Sequence, residues 1–387
     1  MQICDEKKCT ACGSCRQICP VHAIDMKEDE SGRRIAKIQY EKCIKCGKCR
    51  QHCPVNNPPV YHAPSQCYAL RAKSSEVTAV CASGGIASTI GLYVIQEKGI
   101  YWGTKGFPVK FASCHTEIDV LETAGSKYTE SSTENSYKEV YQALQRGLKV
   151  VYVGVPCQIA GLKVFLNQEY RNLLTIDLIC HGMPPQSYLT EYLKNQIPQK
   201  YNKIIEVKFR EPCSFIMTAY AKDELLYRQE QKFDKYLTLF LKNITFRSNC
   251  YQCPYAQQKR ISDLTIGDFW GINHNTLLKK YDGNISCLLI NTLNGKKIFE
   301  QIKHNFIYEE RTIAEAVAGN DNLRMPSLFP KCREQFLKDY QKKGILYAIS
   351  RTNASKEIDR VQRNIKIKKI LYKLKNFKDI SLSKIKS

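Results

Sequence analysis

The sequence is short of acidic residues and has no long apolar segment free of glycine. Asp and Glu number 37 against 59 Lys and Arg, which gives 387 residues a formal net charge of +22. One uncharged run, residues 77–96, is about long enough to span a bilayer, but it contains Gly84, Gly85 and Gly91. We therefore expect a loop followed by a short buried helix there, not a membrane span.

A cleavable export signal and a recognised nucleic-acid-binding motif are also missing. The first residues, MQICDEKKCT, are polar and charged, which predicts a cytoplasmic, reducing location. Positive charge is densest in residues 356–387, where eleven Lys and Arg stand against three Asp and Glu. We expect no nucleic-acid partner and predict a basic helical tail over residues 341–387.

The tail carries apolar residues at roughly helical spacing, with lysines between them: Ile358, Val361, Ile365, Ile370, Leu371, Leu374 and Phe377. Such a helix suits peripheral contact with a membrane surface or an acidic partner. It suits equally a terminal helix whose apolar stripe packs on its own domain. Both interpretations stay open at this point.

Cysteine is abundant, with 19 residues, and eight of them form two copies of C-x2-C-x2-C-x3-C-P. In this motif three cysteines bind one cubane and the fourth, before the proline, binds the other. We assign Cys9, Cys12, Cys15 and Cys53 to one 4Fe-4S cluster, and Cys43, Cys46, Cys49 and Cys19 to a second. Residues 1–58 thus resemble the bacterial dicluster ferredoxin domain, an α+β fold. The duplication argues against a zinc knuckle or a disulfide knot.

A further C-x2-C pair, Cys250 and Cys253, supplies only two ligands. Cys157 and Cys180 each follow a predicted strand, and the carboxyl ends of strands in open α/β sheets converge on one crevice. These four cysteines predict a third 4Fe-4S site, although a zinc half-site or a redox disulfide stays open for the pair. We interpret the other cysteines as ordinary buried residues: Cys4, Cys67, Cys81, Cys114, Cys213, Cys287 and Cys332.

The segment at residues 67–340 alternates helical and strand patterns. A helix in ENSYKEVYQALQRG, a strand in LKVVYVGVP, a helix in PCQIAGLKVFL and a strand in LLTIDLIC follow one another. This order predicts an α/β domain with a partly parallel sheet. FIMTAYAKDELLYRQ is typical of antiparallel strands, which suggests that the sheet is mixed.

Five segments of this part occur in the same order in a known family. They are ASGGIAS, GSKYTES, GVPCQIAGL, DLICHG and CYQCPY followed by SDLTIGDFWG. Residues 67–330 thus resemble the coenzyme F-420-reducing hydrogenase beta subunit family. The resemblance implies a FAD-containing domain with its own 4Fe-4S cluster that exchanges electrons with a two-electron partner. A shared fold does not transfer the use of coenzyme F-420 itself.

Residues of these segments are the candidates for the flavin site. A Ser-Gly-Gly turn before an apolar helix brings backbone N–H groups close to a phosphate or a flavin ring, although the same residues also suit a packed turn. The predicted cofactor-binding residues are Ser83, Gly84, Gly85, Ser126, Lys127, Tyr128, Gln158, Asp268 and Trp270, and the predicted catalytic residues are His181, Lys127 and Asp268.

Two functions are compatible with these features. The first is an iron–sulfur flavoprotein oxidoreductase that passes electrons through three 4Fe-4S clusters to FAD and on to a small organic acceptor, with polysaccharide-related metabolism as one candidate setting. The second is a non-catalytic electron-transfer subunit of a hydrogenase or dehydrogenase complex. Either function implies an electron-carrier partner such as ferredoxin or a redox-enzyme complex.

Overall fold

The computed structural model describes residues 2–211, 214–272, 276, 278 and 284–384, and residues 371–384 by their helical backbone alone. The strands in this part of the chain are β1 (Ile24–Glu28), β2 (Arg34–Ile38), β3 (Gln66–Ala72), β4 (Ile100–Lys105), β5 (Lys110–Cys114), β6 (Val150–Gly154), β7 (Leu173–Leu178), β8 (Glu206–Lys208), β9 (Ile216–Ala221), β10 (Glu224–Glu230), β11 (Leu264–Asp268), β12 (Ser286–Ile290) and β13 (Phe306–Arg311).

The helices alternate with these strands. They are α1 (Ser14–Ile18), α2 (Lys48–Gln51), α3 (Ser75–Val80), α4 (Ile86–Gln96), α5 (Glu117–Glu122), α6 (Ser136–Gln145), α7 (Pro156–Leu166), α8 (Gln186–Gln196), α9 (Lys235–Leu241), α10 (Leu293–Ile302), α11 (Ile313–Gly319), α12 (Arg333–Arg351) and α13 (Asn353–Lys384).

An eight-stranded sheet forms the centre of the molecule, in the order β13-β3-β12-β11-β7-β6-β4-β5. The pairs β4–β6, β6–β7 and β7–β11 are parallel, and the remaining neighbours are antiparallel. The predicted strand–helix–strand unit is β6-α7-β7. The prediction of a partly parallel, mixed sheet behind a ferredoxin-type domain is confirmed.

The strands that make the large sheet mixed are not the ones predicted. The segment around residues 215–229 does form an antiparallel pair, β9 and β10, but in a separate three-stranded sheet in the order β10-β9-β8. This small sheet packs its own apolar core with α8, α9 and α12. The antiparallel members of the large sheet are β3, β5, β12 and β13, whose patterns did not stand out in the sequence.

The large sheet is covered by helices on both faces. Along β6, Val151 and Val153 pack with α4, whereas Val150 and Tyr152 pack with α6 and α7. Successive strand residues point to opposite faces, so a strand covered on both sides is apolar throughout. That is why LKVVYVGVP is a continuous apolar run.

The uncharged run at residues 77–96 behaves as expected, with one addition. Gly84 and Gly85 precede the buried helix α4, but the run begins inside another short helix, α3. No helix within the described residues is long and apolar enough to cross a membrane.

The dicluster domain is joined by buried hydrogen bonds to α6 and to the loop before it. The Gln17 amide bonds the Thr133 hydroxyl at 3.4 Å and accepts from the Tyr137 N–H at 2.9 Å. Thr133 in turn donates to the Cys12 carbonyl at 3.0 Å. The first cysteine repeat is therefore held directly on the surface of the α/β part. The predicted boundaries at residues 58, 67 and 340 stay predictions.

The tail contains apolar residues that pack on the domain and apolar residues that are exposed, so each of the two interpretations of the sequence is compatible with part of it. Ile358 is buried, whereas Val361, Ile365 and Ile370 are exposed. The side chains of Leu371, Leu374 and Phe377 lie outside the described part of the chain. The beginning of α13 therefore packs on its own domain, near α9 and α12.

Candidate metal centres and cofactor cavity

The two cysteine repeats adopt the same backbone. Ala11 and Lys45, which stand before the second cysteine of each repeat, have φ of 54° and 56°. Gly13 and Gly47, which follow it, have φ of 80° and 75°. These left-handed residues wrap each repeat into a tight loop that starts a short helix, α1 or α2.

A first cavity of about 230 Å³ lies in the dicluster domain and is lined by Cys9, Cys12, Cys15 and Cys53. A second, much smaller cavity is lined by Cys19, Cys43, Cys46 and Cys49. These are the two sets assigned from the sequence, including the exchange of the fourth cysteine between the repeats. The donor type and number fit one cubane at each cavity.

Cys4 also lines the first cavity, and its surroundings differ from those predicted. It is half-buried, and its hydrogen bonds lower the pKa of Cys9 to about 6 and that of Cys53 to about 7. The prediction that Cys4 is an ordinary buried residue is therefore wrong, because its thiol is in contact with two candidate ligands.

A third cavity of about 460 Å³ brings together the four cysteines left over from the repeats. Cys157 is in the first turn of α7, Cys180 follows β7, and Cys250 and Cys253 lie in and just after a 3-10 helix, Ser248–Gln252. Burial raises the pKa of Cys180 to about 12 and that of Cys253 to about 11. Deprotonation of such thiols needs a compensating positive charge, which a bound metal supplies.

Two buried arginines of the third cavity were missed in the sequence. Arg247 pairs with Glu130 at 3.3 Å and donates to the Thr10 carbonyl at 3.0 Å. Arg260 pairs with Asp177 at 3.2 Å, and both members of this pair are buried. Their positions three residues before Cys250 and seven residues after Cys253 are the only sequence signal that could have indicated them.

The remaining cysteines divide into three groups. Cys67, Cys81, Cys114 and Cys287 are buried, as expected. Cys332 is exposed, so that prediction is wrong, and Cys213 lies outside the described residues. No three or more His, Cys, Asp or Glu side chains of the described part are arranged to hold a single metal ion. A cubane places one thiolate on each of four irons, which is a wider arrangement.

A fourth cavity of about 350 Å³ opens at the carboxyl ends of the parallel strands, and we call it the cofactor cavity because the predicted flavin-site residues line it. It is lined by all but one of the predicted flavin-site and catalytic residues: Ser83, Gly85, Ser126, Lys127, Tyr128, Gln158, His181, Asp268 and Trp270. Gly84 is the exception among them. Its N–H donates to Ser286 Oγ at 2.7 Å, and an added Cβ would lie 2.2 Å from the Leu70 carbonyl, so its role is packing between β3 and β12.

Several polar side chains of the cofactor cavity already have hydrogen-bond partners within the protein. Lys127 Nζ donates to the carbonyls of Thr123, Ala124 and Gly125 at 2.8, 2.6 and 3.3 Å, which uses all three of its N–H bonds. Burial lowers the pKa of Lys127 to about 8. Asp268 accepts from Arg210 at 2.5 Å.

Gln158 and His181 differ in how firmly they are held. Gln158 is buried, donates to Ser131 Oγ at 2.9 Å and accepts from the Val155 N–H at 3.2 Å, so it is fixed at the start of α7. His181 stays in contact with solvent at the cavity wall, although the surrounding protein reduces its hydration and lowers its pKa. It is therefore mostly neutral at neutral pH.

The cofactor cavity combines an aromatic wall with a helix N-terminus. Tyr128 stacks on Phe240 with ring centroids 4.2 Å apart, and Phe215 and Trp270 also line the cavity. Gly85, with φ of 82°, is the N-cap of α4, an eleven-residue helix whose first three residues line this cavity. Aromatic rings suit a planar ring system, and helix N-termini suit phosphate groups.

The cavities share walls. Ile38 lines both the second and the first cavity. Thr10, Pro54 and Val55 line both the first and the third. Residues 180–183 line both the third cavity and the cofactor cavity. The four cavities therefore form a row that starts at the second cavity and continues through the first and the third to the cofactor cavity.

Comparisons with known proteins agree with this organisation. Residues 8–57 match the family described as 4Fe-4S dicluster domain, which makes this chain an iron–sulfur protein. Residues 147–316 match the family described as the C-terminal part of the coenzyme F420 hydrogenase/dehydrogenase beta subunit. This part of the chain is therefore similar to that family, and the resemblance inferred from its motifs is confirmed.

One solved structure is similar over much of the chain. It is a chain of the F420-reducing [NiFe] hydrogenase complex from Methanosarcina barkeri in a xenon-derivatised form, 17% identical, with a TM-score of 0.45. The match covers 80% of this chain and 94% of that chain. No curated protein sequence matches the chain.

Proposed function

We propose that this chain is an iron–sulfur flavoprotein that accepts single electrons in its dicluster domain and delivers them in pairs to a small organic acceptor. The proposal includes a third 4Fe-4S cluster on Cys157, Cys180, Cys250 and Cys253, and FAD in the cofactor cavity. When bound, the clusters carry one electron each and the flavin combines two.

The order of the four cavities is the observation that carries the proposal. Each cavity shares at least one residue with the next, so no site is separated from its neighbour by a full layer of protein. The third set of cysteines lies between the dicluster domain and the cofactor cavity. A cluster there would connect the two, whereas a zinc ion would not exchange electrons.

The residues of the cofactor cavity have roles in positioning. Tyr128 and Trp270 offer ring faces to a flat cofactor, and the first turn of α4 offers N–H groups to a phosphate. Lys127 holds the carbonyls at the end of α5 and so fixes the loop at residues 123–128. His181, with its lowered pKa, is the group best placed to accept or donate a proton near the acceptor.

The test is to prepare the full chain and the Cys253→Ser variant anaerobically and to measure iron, sulfide and flavin. The wild-type chain should hold about twelve irons and one FAD, and the variant about eight irons with FAD retained. In the variant, electrons from the dicluster domain should no longer reduce the flavin. Cys332→Ser, which changes an exposed cysteine outside all four cavities, is the matched control.

The proposal fails if the wild-type chain holds about eight irons, or if it binds no flavin. A single zinc bound by the third set would also contradict it.

The family description favours a second function, because its members are described as beta subunits. This chain would then pass electrons to or from a partner enzyme without its own organic acceptor. Turnover of small acceptors by the isolated protein with an artificial electron donor separates the two functions. Among the described residues, no contact in the cofactor cavity bears on a polysaccharide-related substrate.

A further inference from the structure

The second cavity reaches the protein surface. Of its lining residues, Ile44, Cys46 and Lys48 are exposed, with Ile44 61% accessible. Gly47 has no atom within 4 Å of the position that a side chain would take. The candidate ligands of the first and third cavities are mostly buried, so this is the site at which an electron carrier can approach most closely.

The surface around this opening is positively charged. We call it the basic face and define it by Lys42, Lys45, Lys48 and Arg50, which lie within six residues of the exposed Ile44 in the sequence. All four cations are exposed, and none forms an ion pair with a described residue. One acidic residue, Glu41, is exposed beside them. The face thus has an apolar centre and a charged rim.

We propose that the basic face is the docking surface for an acidic one-electron carrier protein, and that electrons enter the chain there. The inference rests on the proposed function, since it assumes that electrons flow through the dicluster domain. In the step, one electron leaves the reduced centre of the carrier and enters the cluster at the second cavity. No bond forms or breaks, and no proton needs to move.

Charge complementarity supports this choice of partner. Transient redox complexes are small, and opposite charges raise their association rate, whereas an apolar centre excludes water at the point of closest approach. A carrier with an acidic rim meets four exposed cations here. A bound cluster with four thiolates would itself be negative, so part of the charge balances it. Lys42, Lys45 and Arg50 do not line the second cavity, which leaves them for a partner.

The test compares electron transfer into the wild-type chain and into the variant Lys42→Glu/Lys45→Glu/Arg50→Glu. The probe is a reduced 4Fe-4S ferredoxin of net negative charge, and the second-order rate of cluster reduction is followed by absorbance over a series of salt concentrations. At low salt we expect a rate at least about tenfold lower in the variant, with the difference shrinking as salt rises. Oxidation by a basic cytochrome c should instead become faster in the variant.

The matched control is Lys98→Glu/Lys296→Glu/Lys297→Glu, which makes the same change in charge at exposed lysines outside all four cavities. Iron content and midpoint potentials are measured in every variant to show that the clusters are intact. Equal rates in the two triple variants, or a rate that does not depend on salt, would overturn the proposal. This measurement needs only the clusters of the dicluster domain. Its outcome is therefore independent of the number of clusters found with Cys253→Ser, which tests the proposed function.

Discussion

At the scale of single residues, Arg247 connects two of the candidate metal sites. Its guanidinium lines the third cavity, donates to the Thr10 carbonyl beside the first cavity, and pairs with Glu130. Both charged side chains are buried, with 1% and 2% of their surfaces accessible. Two of the guanidinium nitrogens, Nε and Nη2, have no nitrogen or oxygen partner among the described residues, and the guanidinium interacts with the Cys250 thiol. They are therefore available to sulfur atoms at the third cavity.

Replacing Arg247 by Met should destabilise the protein by about 3–5 kcal/mol, because it leaves the Glu130 carboxylate buried without a partner. Burial already raises the pKa of Glu130, and loss of Arg247 raises it further. A raised carboxyl pKa gives stability that is present at low pH and lost as the pH rises through it. The unfolding midpoint in urea should therefore fall more at pH 8 than at pH 6.

The double variant Arg247→Met/Glu130→Leu is the control for this prediction. It removes both buried charges and should recover most of the lost stability. A loss that is equal at both pH values, or that the second substitution does not relieve, would show that Glu130 is not the cause.

At the scale of secondary-structure elements, α7 does more than connect β6 to β7. Its first turn carries Cys157 and Gln158, and its surface receives the first cysteine repeat at Gly161. A Cβ at Gly161 would lie 2.7 Å from Cys12 Cβ and 2.7 Å from the Tyr137 hydroxyl. The helix can approach the repeat this closely only because no side chain is present at that position.

Gly161→Ala should therefore push the Cys12 loop away from α7. We expect a loss of about 1–3 kcal/mol in stability from overpacking, together with a lower iron content at the first cavity. Gly295→Ala in α10 is the control, since its Cβ would meet the Asp263 carbonyl at 2.4 Å but lies outside all four cavities. That variant should lose stability and keep its iron. An unchanged iron content in Gly161→Ala would contradict the prediction.

The secondary-structure elements also explain which parts of the site could be predicted from the sequence. The eight dicluster cysteines were predictable because each repeat closes its loop within about a dozen residues, so spacing alone reports the geometry. Cys157 and Cys180 were predictable because parallel strands end at one edge of a sheet. Arg247 and Arg260 were not, because their partners Glu130 and Asp177 are remote in sequence and only the folded chain brings them together.

Gly84 and the small sheet were misread for a related reason. A Ser-Gly-Gly turn looks uniform in sequence, but Gly84 is fixed by Ser286 from a neighbouring strand. Likewise β9 and β10 have the pattern of any antiparallel pair. Nothing local distinguishes a pair that extends the large sheet from one that packs its own core with α8, α9 and α12.

At the scale of the whole molecule, the fold ends in a helix that is packed at its start and exposed further on. Ser355 and Ile358 are buried, and Asp359 pairs with Lys235 at 2.6 Å. Ile365, Ile367 and Ile370 are exposed. The helix therefore changes from a part of the core to an exposed extension within two or three turns.

Deletion of residues 364–387 should change the free energy of unfolding by less than about 0.5 kcal/mol, since the described side chains it removes make no buried contacts. Deletion of residues 353–387 should be strongly destabilising, because it also removes the packed first turns. Urea unfolding of the two truncated proteins is the measurement. A marked loss of stability from the shorter deletion would show that the lysine-rich end packs on the domain.

The wall formed by residues 180–183 has a thermodynamic consequence, since the same backbone segment faces the third cavity on one side and the cofactor cavity on the other. Events on the two sides are then linked. If the third site holds the proposed cluster, a compound that binds in the cofactor cavity more tightly when that cluster is reduced must, by reciprocity, make the cluster easier to reduce by the same factor. Occupancy of the cofactor cavity would thus shift the reduction potential at the third site, and with it the preferred direction of electron transfer.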